Sequence, residues 1–166
     1  MIALEGVNIR TVLQPGDMGY VIYLHGHLYG SEYGYSINFE SYVAAGFHEF
    51  YARHDPKQDR VWVCEHKEQI VGFLLLMNRG SAAQLRYFII MPEYRGIGLG
   101  KKLMKLYMEE LSKLGYKSSY LLTVDELPAA ASLYRRHGFR LVQERSFEDF
   151  GKLLMEQRYE VVLTNS

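Results

Sequence analysis

The chain reads as a single domain of the mixed α/β class, and two features of its order predict this. Short runs rich in β-formers and bounded by turn residues alternate with segments whose apolar residues recur every three or four positions. One polar break between two β-rich runs marks a hairpin, and a long helical stretch between two strands marks at least one helical crossover. A length of 166 residues, with 48% hydrophobic and 23% charged residues, suits one domain with a substantial core.

Val7 to Leu13 alternates as a first strand, and Pro15-Gly16-Asp17 ends it, with Asp17 offered as the N-cap of a helix. That helix runs from Met18 to Tyr33, with Val21, Leu24 and Leu28 at helical spacing. A second runs from Phe39 to about Arg53 and is broken by His54-Asp55-Pro56. Arg60 to Glu65 and Gln69 to Met77 form a hairpin around His66-Lys67-Glu68, and Ala83 to Met91 is the next strand, stopped by Pro92. A glycine-rich turn then leads into a long amphipathic helix with Leu99, Leu103, Leu106, Tyr107, Leu111 and Leu114 on one side and Gly115 at its left-handed cap. Ser119 to Val124 is a strand, Asp125-Glu126-Leu127-Pro128 opens a short helix, and His137-Gly138 closes it. Arg140 to Arg145 and Leu154 to Leu163 are the last strands, joined by the aromatic-rich Ser146 to Gly151, a segment expected to cover something.

Nineteen basic residues balance nineteen acidic ones, so no global field draws the chain to nucleic acid or to an anionic membrane. Cys64, the only cysteine, lies in the apolar Val61-Trp62-Val63-Cys64 and excludes an internal disulfide. The start lacks a signal-peptide pattern, and no segment is apolar for the roughly 18 residues that a membrane helix needs, so a cytoplasmic location is expected. His25 and His27, at i and i+2, point to opposite sides of a helix, so no metal is expected.

The strongest chemical signal is Arg95-Gly96-Ile97-Gly98-Leu99-Gly100, placed between a strand and a helix. Glycines there let backbone approach an anion closely, and the first-turn amides lack intrahelical partners at the positive end of the helix dipole. Arg95, Lys101 and Lys102 add positive charge. A P-loop would need Gly-Lys-Ser/Thr where Gly100-Lys101-Lys102 stands, and a dinucleotide fingerprint would need an early βαβ unit, whereas several strands precede this turn.

Arg-x-x-Gly-x-Gly in this setting resembles the pyrophosphate-binding motif of the GNAT acyltransferases, and the similarity extends to Phe88 through Gly96, Leu133-Tyr134 and Gly138-Phe139. The resemblance implies a mixed, mostly antiparallel sheet of about seven strands flanked by about four helices, with acetyl-CoA as cosubstrate and an amine as acceptor. It implies that backbone at Phe88, Ile89 and Ile90 bonds the pantetheine arm. It also implies that the amides of Arg95, Gly96, Ile97, Gly98, Leu99, Gly100 and neighbouring Lys101 hold the diphosphate, and that Tyr134 lies near the sulfur. Leu127 stands where many relatives place an asparagine, so that cofactor contact is not carried over. Further matches at Gly16-Asp17-Met18-Gly19, His25 to Tyr29, Glu32-Tyr33-Gly34 and Phe150-Gly151-Lys152 resemble a GNAT branch often fused to MarR-type winged-helix regulators. With Met1 only a few residues ahead of the first strand, no DNA-binding segment and no nucleic-acid partner are expected. Similar proteins commonly dimerise, which points to a homodimer.

An alkylamine of pKa about 10.4 is neutral in roughly one molecule in a few thousand at pH 7, so a base or a water chain is needed before it attacks a thioester. The N–H near Ile90 is expected to polarise the carbonyl, and Tyr134 to hydrogen-bond the departing sulfur. His25, Tyr29 and Glu32 share a helix face and form the expected acceptor site, with Glu32 the candidate base and Tyr134 the catalytic candidate that stabilises the leaving sulfur. Packing of His25 and Tyr29 in the interior is the alternative. Arg86 could meet either a cross-strand carboxylate or an acidic acceptor, and Tyr20, Tyr23, Tyr33, Tyr35 and Tyr42 could line an acceptor pocket or cap the core. A binding module that senses acyl-CoA without turnover is the competing function.

Overall fold

The computed structural model describes residues 1–164. Its elements are β1 (Asn8–Arg10), α1 (Asp17–Tyr33), α2 (Ile37–Ala52), β2 (Arg60–His66), β3 (Gln69–Arg79), β4 (Ala82–Ile90), α3 (Leu99–Lys113), β5 (Ser118–Val124), α4 (Pro128–Arg136), β6 (Arg140–Phe147) and β7 (Leu154–Val162). The strands form one sheet in the order β1-β2-β3-β4-β5-β7-β6. All neighbours are antiparallel except β4 and β5, which α3 joins by a crossover.

Side chains alternate across this sheet and feed two cores. Val61, Val63, Phe73 and Leu75 pack under Val21, Leu24, Val43 and Phe47 of α1 and α2. Trp62, Leu74, Leu76 and Leu85 pack under Leu99, Leu103 and Tyr107 of α3 and Ala131 of α4. Each buried leucine or valine contributes about 1.5–3 kcal/mol relative to exposure, which keeps both helical layers seated. On α3 the residues Leu99, Leu103, Met104, Tyr107 and Leu111 are buried, so the predicted apolar face is the packed one, with Leu106 and Leu114 at its margin.

Three local expectations change. The first strand is short, and Gly16 rather than Asp17 is the N-cap of α1, with φ of 95°. The Asp17 carboxylate accepts the Gln14 amide at 2.7 Å and Arg10 at 2.6 and 3.1 Å, tying β1 to the helix instead of capping it. β6 also runs on to Phe147, absorbing the start of the segment expected to be a connection.

The feature that builds the site lies in β4. Its parallel pairing with β5 covers only Ala82↔Ser118 to Gln84↔Tyr120, although both strands continue. The β3–β4 register shifts between Phe73↔Ile89 and Leu75↔Arg86, which places one extra residue in β4, and Tyr87 there has φ of 56°. A bulge of this kind bends the strand and increases its twist, so β4 and β5 part and leave a cleft.

Candidate active site

At the end of β4, Met91 donates its amide to Val71, and Ile89 pairs with Phe73. Peptide groups alternate in direction along an antiparallel pair, so Phe88 and Ile90 turn theirs toward the open side. Ile89 spends its peptide groups on β3, so of the three residues expected to offer backbone to a ligand it is the one whose backbone does not face the cleft. A single turn, Pro92–Tyr94, follows and leads to Gly96 and Gly98, with φ of 78° and 93°. No Cβ could adopt that geometry without strain, which is why glycine stands at these positions.

The first amide of α3 with a backbone acceptor is that of Lys102, which donates to Gly98 at 3.0 Å. The amides of Gly96, Ile97, Gly98, Leu99, Gly100 and Lys101 donate to no backbone carbonyl among the described residues and gather at the positive end of α3. Arg95 does not join them, because its amide donates to Pro92 at 3.2 Å. Gly100 brings the helix end close to the sheet, since a Cβ there would sit 3.4 Å from Ile90 Cδ1 and from Leu133 Cδ2.

The Arg95 guanidinium also has another partner. It donates to both Glu32 oxygens, at 2.9 and 2.8 Å, and to the Ile90 carbonyl at 3.2 Å. This fork holds the Glu32 carboxyl below the usual carboxylate range, first through the hydrogen bond and then through charge. Glu32 does not line the cleft. A carboxylate so held is a poor proton acceptor, which counts against Glu32 as base and as acceptor contact. The sequence separation of 63 residues hid this pair.

The cleft has a volume of about 160 Å³ and opens between α1, α2, β4, β5 and α4. His25 and Tyr29 do line it, stacked with an interplanar angle of 2°. The Val21 carbonyl can only accept, so His25 Nδ1, 2.8 Å away, carries the proton and Nε2 is left as an acceptor. Burial pushes the His25 imidazole down to about 4 and the Tyr29 phenol up to about 12. Tyr134 lines the same cleft, 6% exposed, and burial, helped by the nearby Tyr29, raises its phenol well above 10. It stays protonated at neutral pH and is available as a hydrogen-bond donor.

Several lining residues were not singled out by spacing, among them Gln84, Thr123 and Phe39. Phe147 and Phe150, from the aromatic segment expected to cover something, close one side, and of the five tyrosines offered for the pocket Tyr35 and Tyr42 reach it. Tyr20 and Tyr33 pack against the α1–α2 core, and Tyr23 is exposed. Leu127 also lines the cleft. Cys64 is buried in the sheet away from the cleft, and burial pushes its thiol up to about 12. Among the described residues no group of three metal-ligating side chains comes together, and no helix is long and apolar enough to cross a membrane.

Comparison with known proteins agrees with this fold. A family model described as an acetyltransferase (GNAT) domain matches residues 31–160. An uncharacterised N-acetyltransferase of Escherichia coli (strain K12), YjgM, is 30% identical over 115 residues, covering 66% of this chain and 68% of that protein. A GNAT-family acetyltransferase structure from Staphylococcus aureus Mu50 superposes with a TM-score of 0.75 at 19% identity, over 95% of this chain and 99% of the other. The spermidine N-acetyltransferase of Vibrio cholerae, solved with CoA and spermine, gives 0.69 at 22% identity, over 95% and 96%. With its domain match, its mixed seven-stranded sheet and its unpartnered amides after β4, this chain belongs to the GNAT acetyltransferase family.

Proposed function

We propose that the protein transfers an acetyl group from acetyl-CoA to a primary amine of a small molecule, amino acid or peptide, directly and within a ternary complex. The observation that carries this reading is the set of free amides from Gly96 to Lys101, next to the open edge of β4, where Gly100 lies against Phe88 and Leu133, the residue before Tyr134. The amides hold the diphosphate, as helix N-termini hold anions generally. From there the pantetheine arm lies along Phe88 and Ile90, and the thioester reaches the splayed gap between β4 and β5. The Ile90 N–H polarises the carbonyl as the tetrahedral oxyanion forms.

The amine attacks the thioester carbon, the C–S bond breaks, and the thiolate leaves with a hydrogen bond from Tyr134. With Glu32 held by Arg95 and His25 a weak base, the amine loses its proton to water rather than to either side chain. No covalent enzyme intermediate is needed, in keeping with the inert setting of Cys64. Acetyl-CoA and a panel of amines, followed by CoA release, test the reading. Turnover that rises with pH through the neutral range, and that falls about 10–100-fold in Tyr134→Phe with CoA affinity unchanged, is the expected result. Tight CoA binding without turnover on any amine would support a sensor instead.

A further inference from the structure

The bulge in β4 does more than part the strands. Ala83 and Leu85 face the α3 core, and so do Phe88 and Ile90, while Tyr87 and Ile89 face the α1–α2 core. Strict alternation from Leu85 would place Phe88 on the other side, so the phase flips within Arg86-Tyr87 and both side chains lie on the face toward α1 and α2. The Arg86 guanidinium sits 4.7 Å from the Tyr87 ring centroid and 6.0 Å from that of Tyr42. Gly46 on α2 makes the space: a Cβ there would collide with the Tyr87 hydroxyl and lie 2.9 Å from Arg86 Nη2.

Arg86 lines the cleft, yet no carboxylate lies within 4.0 Å of it among the described residues, and it donates to none of their acceptors. Its neighbours are otherwise spoken for. Arg79 and Arg53 pair with Glu49, Arg95 with Glu32, and the cleft carboxylate Glu156 with Arg145 at 2.7 Å. The expected cross-strand charge pair is therefore absent, since Arg86 stands opposite Leu75. A planar fork of donors set against the Tyr87 ring, feeling Glu49 through charge but hydrogen-bonded to no carboxylate among the described residues, is prepared for an anion that arrives with the ligand.

We infer that the acceptor is an amine that also carries a carboxylate, bound by Arg86, on an apolar or aromatic body that packs against Phe39, Phe147 and Phe150. The inference rests on the acetyl-transfer reading and specifies its substrate class. A free polyamine is disfavoured, because a second ammonium would meet this unpaired cation.

The test compares phenylalanine with phenylalaninamide, and adds spermidine, in wild type, Arg86→Gln and Arg86→Lys. Because the two amines differ in intrinsic reactivity, the quantity read is the change in their kcat/KM ratio between enzymes. Arg86→Gln should shrink the preference for the carboxylate by about tenfold or more, with the amide nearly unchanged and Arg86→Lys restoring part of it. A ratio indifferent to Arg86→Gln, or a wild type that acetylates only spermidine or the amide, overturns the inference. If neither phenylalanine nor its amide turns over, binding of N-acetylphenylalanine and its amide to the CoA-saturated protein decides by the same ratio, and equal binding overturns it. A protein that ignores CoA but still prefers the carboxylate through Arg86 would instead sink acetyl transfer and leave the anion site standing.

Discussion

The bend between β4 and α3 presents peptide N–H groups, whereas the cleft beside it presents side chains. In the bend, six amides are free to bind and side-chain identity matters only where glycine is required, at φ of 78° and 93°. In the cleft, the stacked rings of His25 and Tyr29 from α1, the Tyr134 phenol from α4 and the Arg86 guanidinium from β4 converge. Backbone recognition can serve a common carrier with many sequences, and side-chain recognition can be rewritten for each acceptor. The two halves meet at the Arg95–Glu32 fork, which ties the bend to the end of α1.

Substitutions that separate the two halves sharpen this contrast. Gly98→Val should have the largest effect: a β-branched residue at φ of 93° costs about 1–3 kcal/mol, enough to weaken CoA up to about 100-fold in a calorimetric titration while leaving N-acetylphenylalanine binding intact. Loss of both ligands together would show that the halves are one unit.

The cleft histidine comes next. The unfolded chain protonates His25 near its ordinary 6.5, whereas the folded chain resists until about 4, so the unfolded state binds more protons between those values. Stability is therefore full above pH 6.5 and falls as pH drops toward 4, by up to about 3 kcal/mol. His25→Phe should flatten denaturant midpoints between pH 6.5 and 5, a window above the range where carboxylates titrate. An unchanged slope would place the acid sensitivity elsewhere.

Gly46→Ala should destabilise by about 1–2 kcal/mol, since overpacking against the Tyr87 hydroxyl outweighs the gain in helix propensity. Adding Tyr87→Phe should recover part of this in chemical denaturation, and no recovery would mean that the clash lies with Arg86. Glu32→Gln should do least. Turnover should stay within about threefold and stability within about 1 kcal/mol, as for a half-exposed ion pair. A fall of about 100-fold or more would restore Glu32 as the base.

The bend was legible because its signal is local: glycines, a proline stop and a helix onset in one short run. The helices and the β2–β3 hairpin were legible for the same reason, since periodicity acts within a few residues. The bulge was not, because a tyrosine at φ of 56° leaves no mark in the sequence and the extra residue shows only against Phe73 and Leu75. Nor was the Arg95–Glu32 fork, which joins distant positions and pairs with each other two residues that the resemblance had given to the diphosphate and helical spacing to the acceptor. His25 and Tyr29 were placed on the right helix face by their i, i+4 spacing, while Gln84, Thr123 and Phe39 reach the cleft only through tertiary packing.

Amide-resolved NMR during a titration with coenzyme A addresses the central claim most directly. Saturable shifts concentrated at Gly96 to Lys101, with Phe88 and Ile90 following along β4, are the expected outcome. A protein whose spectrum does not change with coenzyme A, or whose shifts gather far from that bend, would contradict it.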